Sequence, residues 1–230
     1  TLTGVDDNDT DGNKAYGINL SAELDGIDTK KENPEVTTFA GSGNSGSTNA
    51  TGTAAKFKNP WGITTDGTNL YVSDTTNHMI RKIVISTGVV TTLAGSTTSG
   101  SADGSGTAAR FKFPNGITTD GTNLYVTDAN HRIRKIVIST GAVTTLAGSG
   151  SRNYADGTGT SAHFNYPMGV TNVGDYLYIT DRYNHRIRKV HKSTGAVTTF
   201  AGSGSYGFAD ATGTAAKFYY PWGIKNDGTN

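Results

Sequence analysis

The sequence predicts an all-β protein assembled from a repeated unit of four short strands. The first observation is a repeat, because a Pro-x-Gly unit begins at positions 60, 114, 167 and 221, with spacings of 54, 53 and 54 residues. The second is that each repeat holds runs rich in Val, Ile, Thr and Tyr, separated by Gly and Asx turns. The third is that no stretch sustains the 3.6-residue apolar period of an amphipathic helix.

The second repeat illustrates the order of its elements. Its four predicted strands cover residues 116–119, 124–127, 132–138 and 143–146. Asp120-Gly121 is a strong turn signal after the first strand, and Asp128 begins the turn after the second. Residues 106–111 allow one helical turn. A four-stranded blade cannot cover either of its apolar faces alone, whereas blades stacked around an axis cover both. We therefore predict a β-propeller of four-stranded antiparallel blades, with about three complete blades.

Partial blade strands are predicted at both ends. Residues 36–39 have the pattern of a fourth strand without its blade, and the sequence stops where a second strand should follow Asp227-Gly228. Six blades of this size would need more residues than the chain has. We expect an excerpt of a larger ring, whose open edges promote self-association.

Composition argues against several classes of partner. Twenty Lys and Arg residues face 19 Asp and Glu residues, and the net charge is +1. This balance removes the usual electrostatic case for binding nucleic acid or anionic membranes. The chain has no cysteine and no apolar run near the ~18 residues of a spanning helix. We expect no nucleic-acid partner, no disulfide and no transmembrane segment.

The repeats differ in length at one place. The second repeat lacks a residue between Asp128 and Asn130, where the others carry Thr75-Thr76 and Arg182-Tyr183. A length change confined to one short segment between fixed strands predicts a solvent-facing loop.

Histidine and arginine recur once per repeat. His78, His131 and His185 lie beside the third strand, away from the axis, where they could not meet at one metal ion. We expect them to form structural hydrogen bonds. The basic pairs are Arg81-Lys82, Arg134-Lys135 and Arg188-Lys189. We expect their long stems to cover apolar neighbours rather than to form a stripe for RNA.

These motifs resemble the NHL-repeat family of β-propellers over residues 36–230. The family's Asn-His pair is present as Asn77-His78, Asn130-His131 and Asn184-His185, although its leucine is not matched. The surrounding Pro-x-Gly-Ile, Leu-Tyr-Val-x-Asp and Ile-Arg-Lys patterns also fit. The resemblance implies a binding platform, often for protein and sometimes for RNA. A minority of related propellers are metal-dependent lyases.

Residues 1–35 lie outside the repeat and resemble the end of a Calx-β-like sandwich module, a type that occurs on bacterial surface proteins. Asp7, Asp9 and Asp11 alternate before Gly12, so their carboxylates could converge on one calcium ion. Ile18 stands where an EF-hand loop would need Glu. A calcium site and a polar turn both remain open, and no other cofactor is expected.

The positions that flank the repeat proline differ between copies and are candidates for partner binding. They are Asn59, Trp61, Phe113, Asn115, Tyr166, Met168, Tyr220 and Trp222. Aromatic residues at a funnel mouth would suit protein or carbohydrate binding. Packing between blades is the alternative reading. The Asp66-Gly67 turn and its equivalents are expected on the opposite rim.

These inferences together predict a non-enzymatic binding or scaffold propeller from an exported multidomain bacterial protein. We expect it outside the cytoplasm or on the cell surface, holding a protein or carbohydrate partner through one loop face. The alternative is a metal-dependent propeller lyase whose ligands lie on blades absent from this chain.

Overall fold

The computed structural model describes residues 4–5, 17–18 and 36–228. The chain divides into two units, 1–37 and 38–230. In the first unit, Gly4–Val5 (β1) pairs antiparallel with Gly17–Ile18 (β2). The candidate calcium ligands Asp7, Asp9 and Asp11 lie outside the described residues.

The second unit contains three antiparallel blades, as the repeat predicts. The first blade consists of Pro60–Thr65 (β3), Asn69–Asp74 (β4), Met79–Val84 (β5) and Val90–Gly95 (β6). The second consists of Gly104–Ser105 (β7), Pro114–Thr119 (β8), Asn123–Asp128 (β9), Arg132–Val137 (β10) and Ala142–Ala147 (β11). The third consists of Gly157–Thr158 (β12), Pro167–Val173 (β13), Tyr176–Asp181 (β14), Arg186–His191 (β15) and Ala196–Ala201 (β16).

Three details differ from the sequence prediction. The first strand of each blade begins at the repeat proline, two residues earlier than expected in the second blade. The short strands β7 and β12 each add a fifth strand by pairing with the outer strands β11 and β16. The predicted helical turn is confirmed as a single 3-10 turn at Gly106–Ala108. The strand predicted at residues 36–39 is not formed, because no strand of the described residues pairs with it, and residues 219–224 also belong to no strand.

Apolar side chains fill the junctions between blades. Tyr71 and Ile80 of the first blade pack with Phe111, Leu124 and Ile136 of the second, and all five are buried. An equivalent cluster fills the junction between the second and third blades. The two-faced apolar pattern of each repeat is therefore satisfied by stacking, as a propeller requires.

The glycine of the Pro-x-Gly unit allows the innermost strands to approach each other. A Cβ atom on Gly116 would collide with the carbonyl oxygen of Met168 and lie 3.0 Å from the nitrogen of Val170. A Cβ on Gly169 would lie 2.6 Å from the carbonyl oxygen of Trp222. Only a residue without a side chain fits such a close approach of two backbones.

The repeated arginines are buried in ion pairs, which the expectation that their stems cover apolar neighbours did not include. Arg134 is fully buried, and its Nη1 donates to Asp128 Oδ2 at 3.1 Å. Its Nη2 donates to Asp103 Oδ1 at 2.8 Å, and its guanidinium lies 5.1 Å from the ring centroid of Phe111. Arg81 and Arg188 occupy equivalent sites. Removing a charge from water is costly, so each buried arginine requires such ion-pair and hydrogen-bond partners.

Candidate functional site

The two ends of each blade form two rims of different chemistry. In the first blade, Pro60 pairs with Asp74 at one end and Thr65 pairs with Leu70 at the other. At the first end, the connection before the proline meets the turn after the second strand, where Asn59 Nδ2 donates to Thr76 Oγ1 at 3.1 Å. We call this end the aromatic rim.

The residue before each repeat proline has an unusual backbone conformation. The φ angles of Asn59, Phe113, Tyr166 and Tyr220 are 49°, 48°, 59° and 48°. Left-handed backbone at a residue with a bulky side chain costs about 1–3 kcal/mol and persists only where neighbouring groups hold it. The same strained conformation at four equivalent positions shows that the repeat imposes it.

The repeated histidines hold this conformation from the preceding blade. The backbone N–H of Phe113 donates to His78 Nδ1 at 3.1 Å, and that of Tyr166 donates to His131 Nδ1 at 3.0 Å. The N–H of Tyr220 donates to the third histidine at 3.2 Å. The structural role expected for these histidines is therefore confirmed. Each imidazole must be neutral at Nδ1 to accept this bond.

The local electrostatics favour the neutral imidazole. Burial, followed by the positive charges of Lys58 and Lys112, lowers the pKa of His78 below its usual value. Burial and nearby basic groups lower the pKa of His131 in the same direction. Lys58, Lys112 and Arg152, the exposed basic residues near these two histidines, give the aromatic rim cationic side chains.

Aromatic rings join across this rim into one cluster. The ring centroids of Trp61 and Trp222 are 5.3 Å apart. Tyr183 lies 5.6 Å from Tyr166 and 5.3 Å from Tyr220, with edge-to-face geometry in both pairs. Trp61, on the innermost strand of the first blade, is 54% exposed. Rings from different blades thus form a single partly exposed surface.

Arg182 connects the two parts of this cluster. Its guanidinium carbon lies 4.1 Å from the ring centroid of Trp222, 5.0 Å from that of Tyr183 and 5.7 Å from that of Tyr220. Its Nε is buried and has no hydrogen-bond partner among the described residues. Cation–π contacts therefore stabilise the planar face of the guanidinium, while its N–H groups stay unmatched.

The eight residues singled out in the sequence do not all reach this surface. The structure brings Trp61, Tyr166, Tyr220 and Trp222 into the cluster. Phe113 packs separately on His78, with ring centroids 4.6 Å apart, and Asn59 is exposed beside Thr76.

Asn115 and Met168 are buried at the same rim, with 5% and 4% of their surface exposed. They lie on innermost strands that have a neighbouring inner segment on both sides. Packing between blades therefore explains the burial of Asn115 and Met168, and these side chains lie beneath the exposed surface of the rim.

Sequence reasoning missed Arg182 and Tyr183 as site residues. The available signal was the change in repeat length, because these two residues stand in the variable segment. The prediction that this segment faces solvent holds for Tyr183, which is exposed. It is wrong for Thr75, whose buried hydroxyl donates to the carbonyl oxygen of Pro114 in the next blade at 2.6 Å.

The opposite rim is built from turns whose polar groups satisfy one another. Asp66 accepts hydrogen bonds from the Tyr71 hydroxyl and the Asn69 N–H, both at 2.7 Å. Burial opposes ionisation of Asp66, but these hydrogen bonds outweigh it and hold its pKa well below the usual range. Little hydrogen-bonding capacity is left on Asp66 for a partner.

Possible metal ligands do not converge within residues 36–228. No group of three or more His, Asp or Glu side chains in this part of the chain could hold an ion. The three repeated histidines lie at separate junctions. The described residues also include no helix long and apolar enough to cross a membrane.

Known proteins resemble the chain in sequence. No family model matches it. It is 30% identical over 210 residues to Protein SUPPRESSOR OF QUENCHING 1, chloroplastic, of Arabidopsis thaliana, covering 84% of this chain and 20% of that protein. It is 33% identical over 178 residues to human NHL repeat-containing protein 2, covering 70% and 24%, and 33% identical over 180 residues to the Bos taurus protein, covering 70% and 25%. The chain thus spans about a fifth to a quarter of these relatives.

Solved structures resemble it in fold. An auxiliary nutrient binding protein from Bacteroides ovatus superposes with a TM-score of 0.60 at 20% identity, covering 79% of this chain and 49% of that one. A protein of the same name from Bacteroides thetaiotaomicron gives a TM-score of 0.56 at 22% identity, covering 72% and 42%.

Proposed function

Because this chain belongs to the NHL-repeat family, we propose that it is a non-enzymatic binding platform that holds a protein or carbohydrate partner on its aromatic rim. The proposed contact residues are Asn59, Trp61, Phe113, Tyr166, Tyr220 and Trp222, with Arg182 and Tyr183 added by the geometry. Asn115 and Met168 support this surface from within.

The observation that carries the proposal is the exposed ring cluster itself. Framework side chains of the repeat recur in every blade, whereas the residue after the proline is Trp, Asn, Met or Trp in successive copies. Exposed aromatic side chains bury a large area on binding while few rotatable bonds are frozen. Rings at variable positions, held by a strained but fixed backbone, are suited to bind a partner.

A binding role rather than a catalytic one is favoured by how the reactive side chains are used. Asp74, Asp128 and Asp181 are buried, and each pairs with an arginine of its own blade. The repeated histidines accept backbone hydrogen bonds at the blade junctions. The ionisable groups that recur in the repeat therefore serve the framework.

We also propose that the parent protein is an exported multidomain bacterial protein that works outside the cytoplasm. The support is the resemblance of residues 1–35 to a module of bacterial surface proteins. Cell fractionation with an antibody against residues 36–228 would test it. Signal in the extracytoplasmic or surface fraction is expected, and signal confined to the cytosol would contradict the proposal.

The function is tested by probing a glycan array and a displayed peptide library with the full chain. The test variant is Trp61→Ala/Tyr166→Ala. Tyr176→Ala is its matched control, because Tyr176 pairs with Val173 at the opposite end of the third blade. Loss of two anchor rings should weaken binding by about 2 kcal/mol or more, which is roughly 30-fold.

The control variant should bind as the wild-type chain does, and both variants should keep the wild-type circular dichroism spectrum. A ligand that binds the double variant normally but is lost when the turns at Asp66-Gly67 and its equivalents are altered would contradict the proposal.

A further inference from the structure

Arg182 is an unmatched cation in the middle of the aromatic rim. Within residues 36–228, its guanidinium contacts three rings and has no hydrogen-bond or ion-pair partner. A guanidinium carries five N–H donors, and stacking on rings satisfies none of them. The other half-buried or buried arginines of the third blade, Arg186 and Arg188, donate to backbone or carboxylate oxygens. Arg182 therefore has N–H donors available to a ligand.

The repeat framework does not explain this residue. The equivalent position in the first blade is Thr75, whose hydroxyl bonds to the next blade, and the second blade has the shorter turn with Ala129. Since the first blade forms the same 3-10 turn without arginine, the fold does not require one in the third. A cation placed among rings without a structural need is available for ligand recognition.

Among the described residues, the negative charges near the rim are paired with arginines, whereas some of its positive charges are unpaired. The carboxylates of Asp74, Asp128 and Asp181 are buried and paired with arginines. Lys58 and Lys112 are exposed, and neither pairs with a carboxylate among residues 36–228. An approaching ligand therefore meets aromatic faces together with uncompensated positive charge, which favours an anionic ligand.

We propose that the aromatic rim binds an acidic saccharide, with the carboxylate of a uronic acid paired with Arg182 and the sugar packed on the neighbouring rings. This proposal rests on the proposed binding function of the rim and names its ligand class. The planar edge of a guanidinium matches a carboxylate with two parallel hydrogen bonds. The exposed Trp61 ring and the part of Trp222 that Arg182 does not cover offer apolar area for the C–H face of a pyranose ring.

The described charges favour a saccharide over a nucleic acid. A nucleic-acid strand needs several free cations that follow its phosphates. The arginine that recurs in each repeat, Arg81, Arg134 or Arg188, cannot contact phosphates, because it is fully buried in an ion pair. One central guanidinium among aromatic rings fits a sugar unit that carries one carboxylate.

The test is isothermal titration of the full chain with trigalacturonic acid and with galactotriose, its neutral counterpart. Arg182→Met removes the charge, and Arg182→Lys keeps the charge but not the planar fork. Arg152→Met is the matched control, since Arg152 is an exposed cation near His131 at the same rim. Triglutamate peptide serves as a carboxylate probe without a sugar ring.

We expect trigalacturonic acid to bind more tightly than galactotriose, and Arg182→Met to weaken that binding by about tenfold or more. Arg182→Lys should fall between, and Arg152→Met should bind within about twofold of wild type. Thermal unfolding of each variant at the wild-type temperature would confirm that the fold is intact.

Three results would overturn the inference. In the first, both saccharides bind with equal affinity, Arg182→Met leaves that affinity unchanged, and Trp61→Ala/Tyr166→Ala lowers it. The rim then binds ligands but not through a carboxylate, and the proposed function stands. If triglutamate binds more tightly than either saccharide, the ligand class is wrong. If neither saccharide binds, the acidic-saccharide assignment fails, while the array experiment still decides the proposed function.

Discussion

Replacement of Gly116 by alanine should open the junction between the second and third blades. The added Cβ would collide with the carbonyl oxygen of Met168 and lie 3.0 Å from the nitrogen of Val170. Both obstacles are backbone atoms of a paired strand, so neither can rotate away as a side chain could. Relief requires the strands to separate, which also stretches the 2.6 Å hydrogen bond that Thr127 Oγ1 donates across the junction to the carbonyl oxygen of Met168.

The expected cost follows from these two effects. Overpacking costs about 1–3 kcal/mol, and loss of a buried hydrogen bond adds about 1 kcal/mol, so the free energy of unfolding should fall by about 2–4 kcal/mol. Gly223→Ala is the matched control. Gly223 occupies the same repeat position, and a Cβ added there meets nothing within 4 Å.

Urea unfolding, monitored by circular dichroism and by tryptophan fluorescence, measures the free energy of unfolding of both variants. Gly223→Ala should lie within about 0.5 kcal/mol of wild type. Equal costs for the two variants, or no cost for Gly116→Ala, would refute the argument that close approach of the inner strands fixes this glycine.

Three further predictions concern the framework. Asp128→Ala leaves the buried charge of Arg134 without its buried partner and should lower the free energy of unfolding, measured in urea, by about 3–5 kcal/mol. Asp103→Asn changes a half-exposed partner and should lower it by less than about 1 kcal/mol. Burial lowers the folded-state pKa of His131, so the unfolded chain takes up a proton at higher pH than the folded chain does. Stability should therefore fall as pH drops below about 6.5, and thermal unfolding of His131→Asn should show a smaller fall. Ile63 is 60% exposed where Ile117, at the same repeat position, is 7% exposed, so sedimentation should show concentration-dependent association that Ile63→Asp reduces. Equal costs for the two aspartate variants, identical pH profiles, or a strict monomer at all concentrations would contradict the respective prediction.

The sequence was sufficient to predict the blades because their signals are local and repeated. Alternating apolar residues, Asp-Gly turns and a fixed period recur in each copy, and the observed strands differ from the predicted ones by a few residues at their ends. The short outer strands β7 and β12 could not be predicted. Each has only two residues, and it is paired by contact with a strand about 40 residues later rather than by its own composition.

The burial of Arg81, Arg134 and Arg188 was beyond local pattern reading. Each arginine sits beside a lysine on a strand, and alternation predicts only that the two point to opposite faces. The partners that make burial possible, such as Asp103 and Asp128 for Arg134, come from two other segments of the chain. A polar residue in an interior can be recognised only when all of its partners are known.

In the candidate site too, local sequence predicted some features, whereas contacts between distant segments determined others. The repeat comparison found the variable positions beside the proline, but it could not separate exposed Trp61 from buried Asn115, which share one repeat position. Neighbouring strands decide that difference. The role of Arg182 depends on rings from the next segment of the chain, Tyr220 and Trp222, which no local pattern connects to it.

The central claim, that ligands bind on the aromatic rim, is tested most directly by intrinsic tryptophan fluorescence. The chain has two tryptophans, Trp61 and Trp222, and both lie in the ring cluster. Titration with a ligand recovered from the glycan or peptide panel should change their emission in the wild-type chain and in Tyr176→Ala. The affinity should be about 30-fold weaker in Trp61→Ala/Tyr166→Ala, where Trp222 still reports. A ligand that binds with unchanged emission, and with equal affinity to the double variant, would contradict the claim.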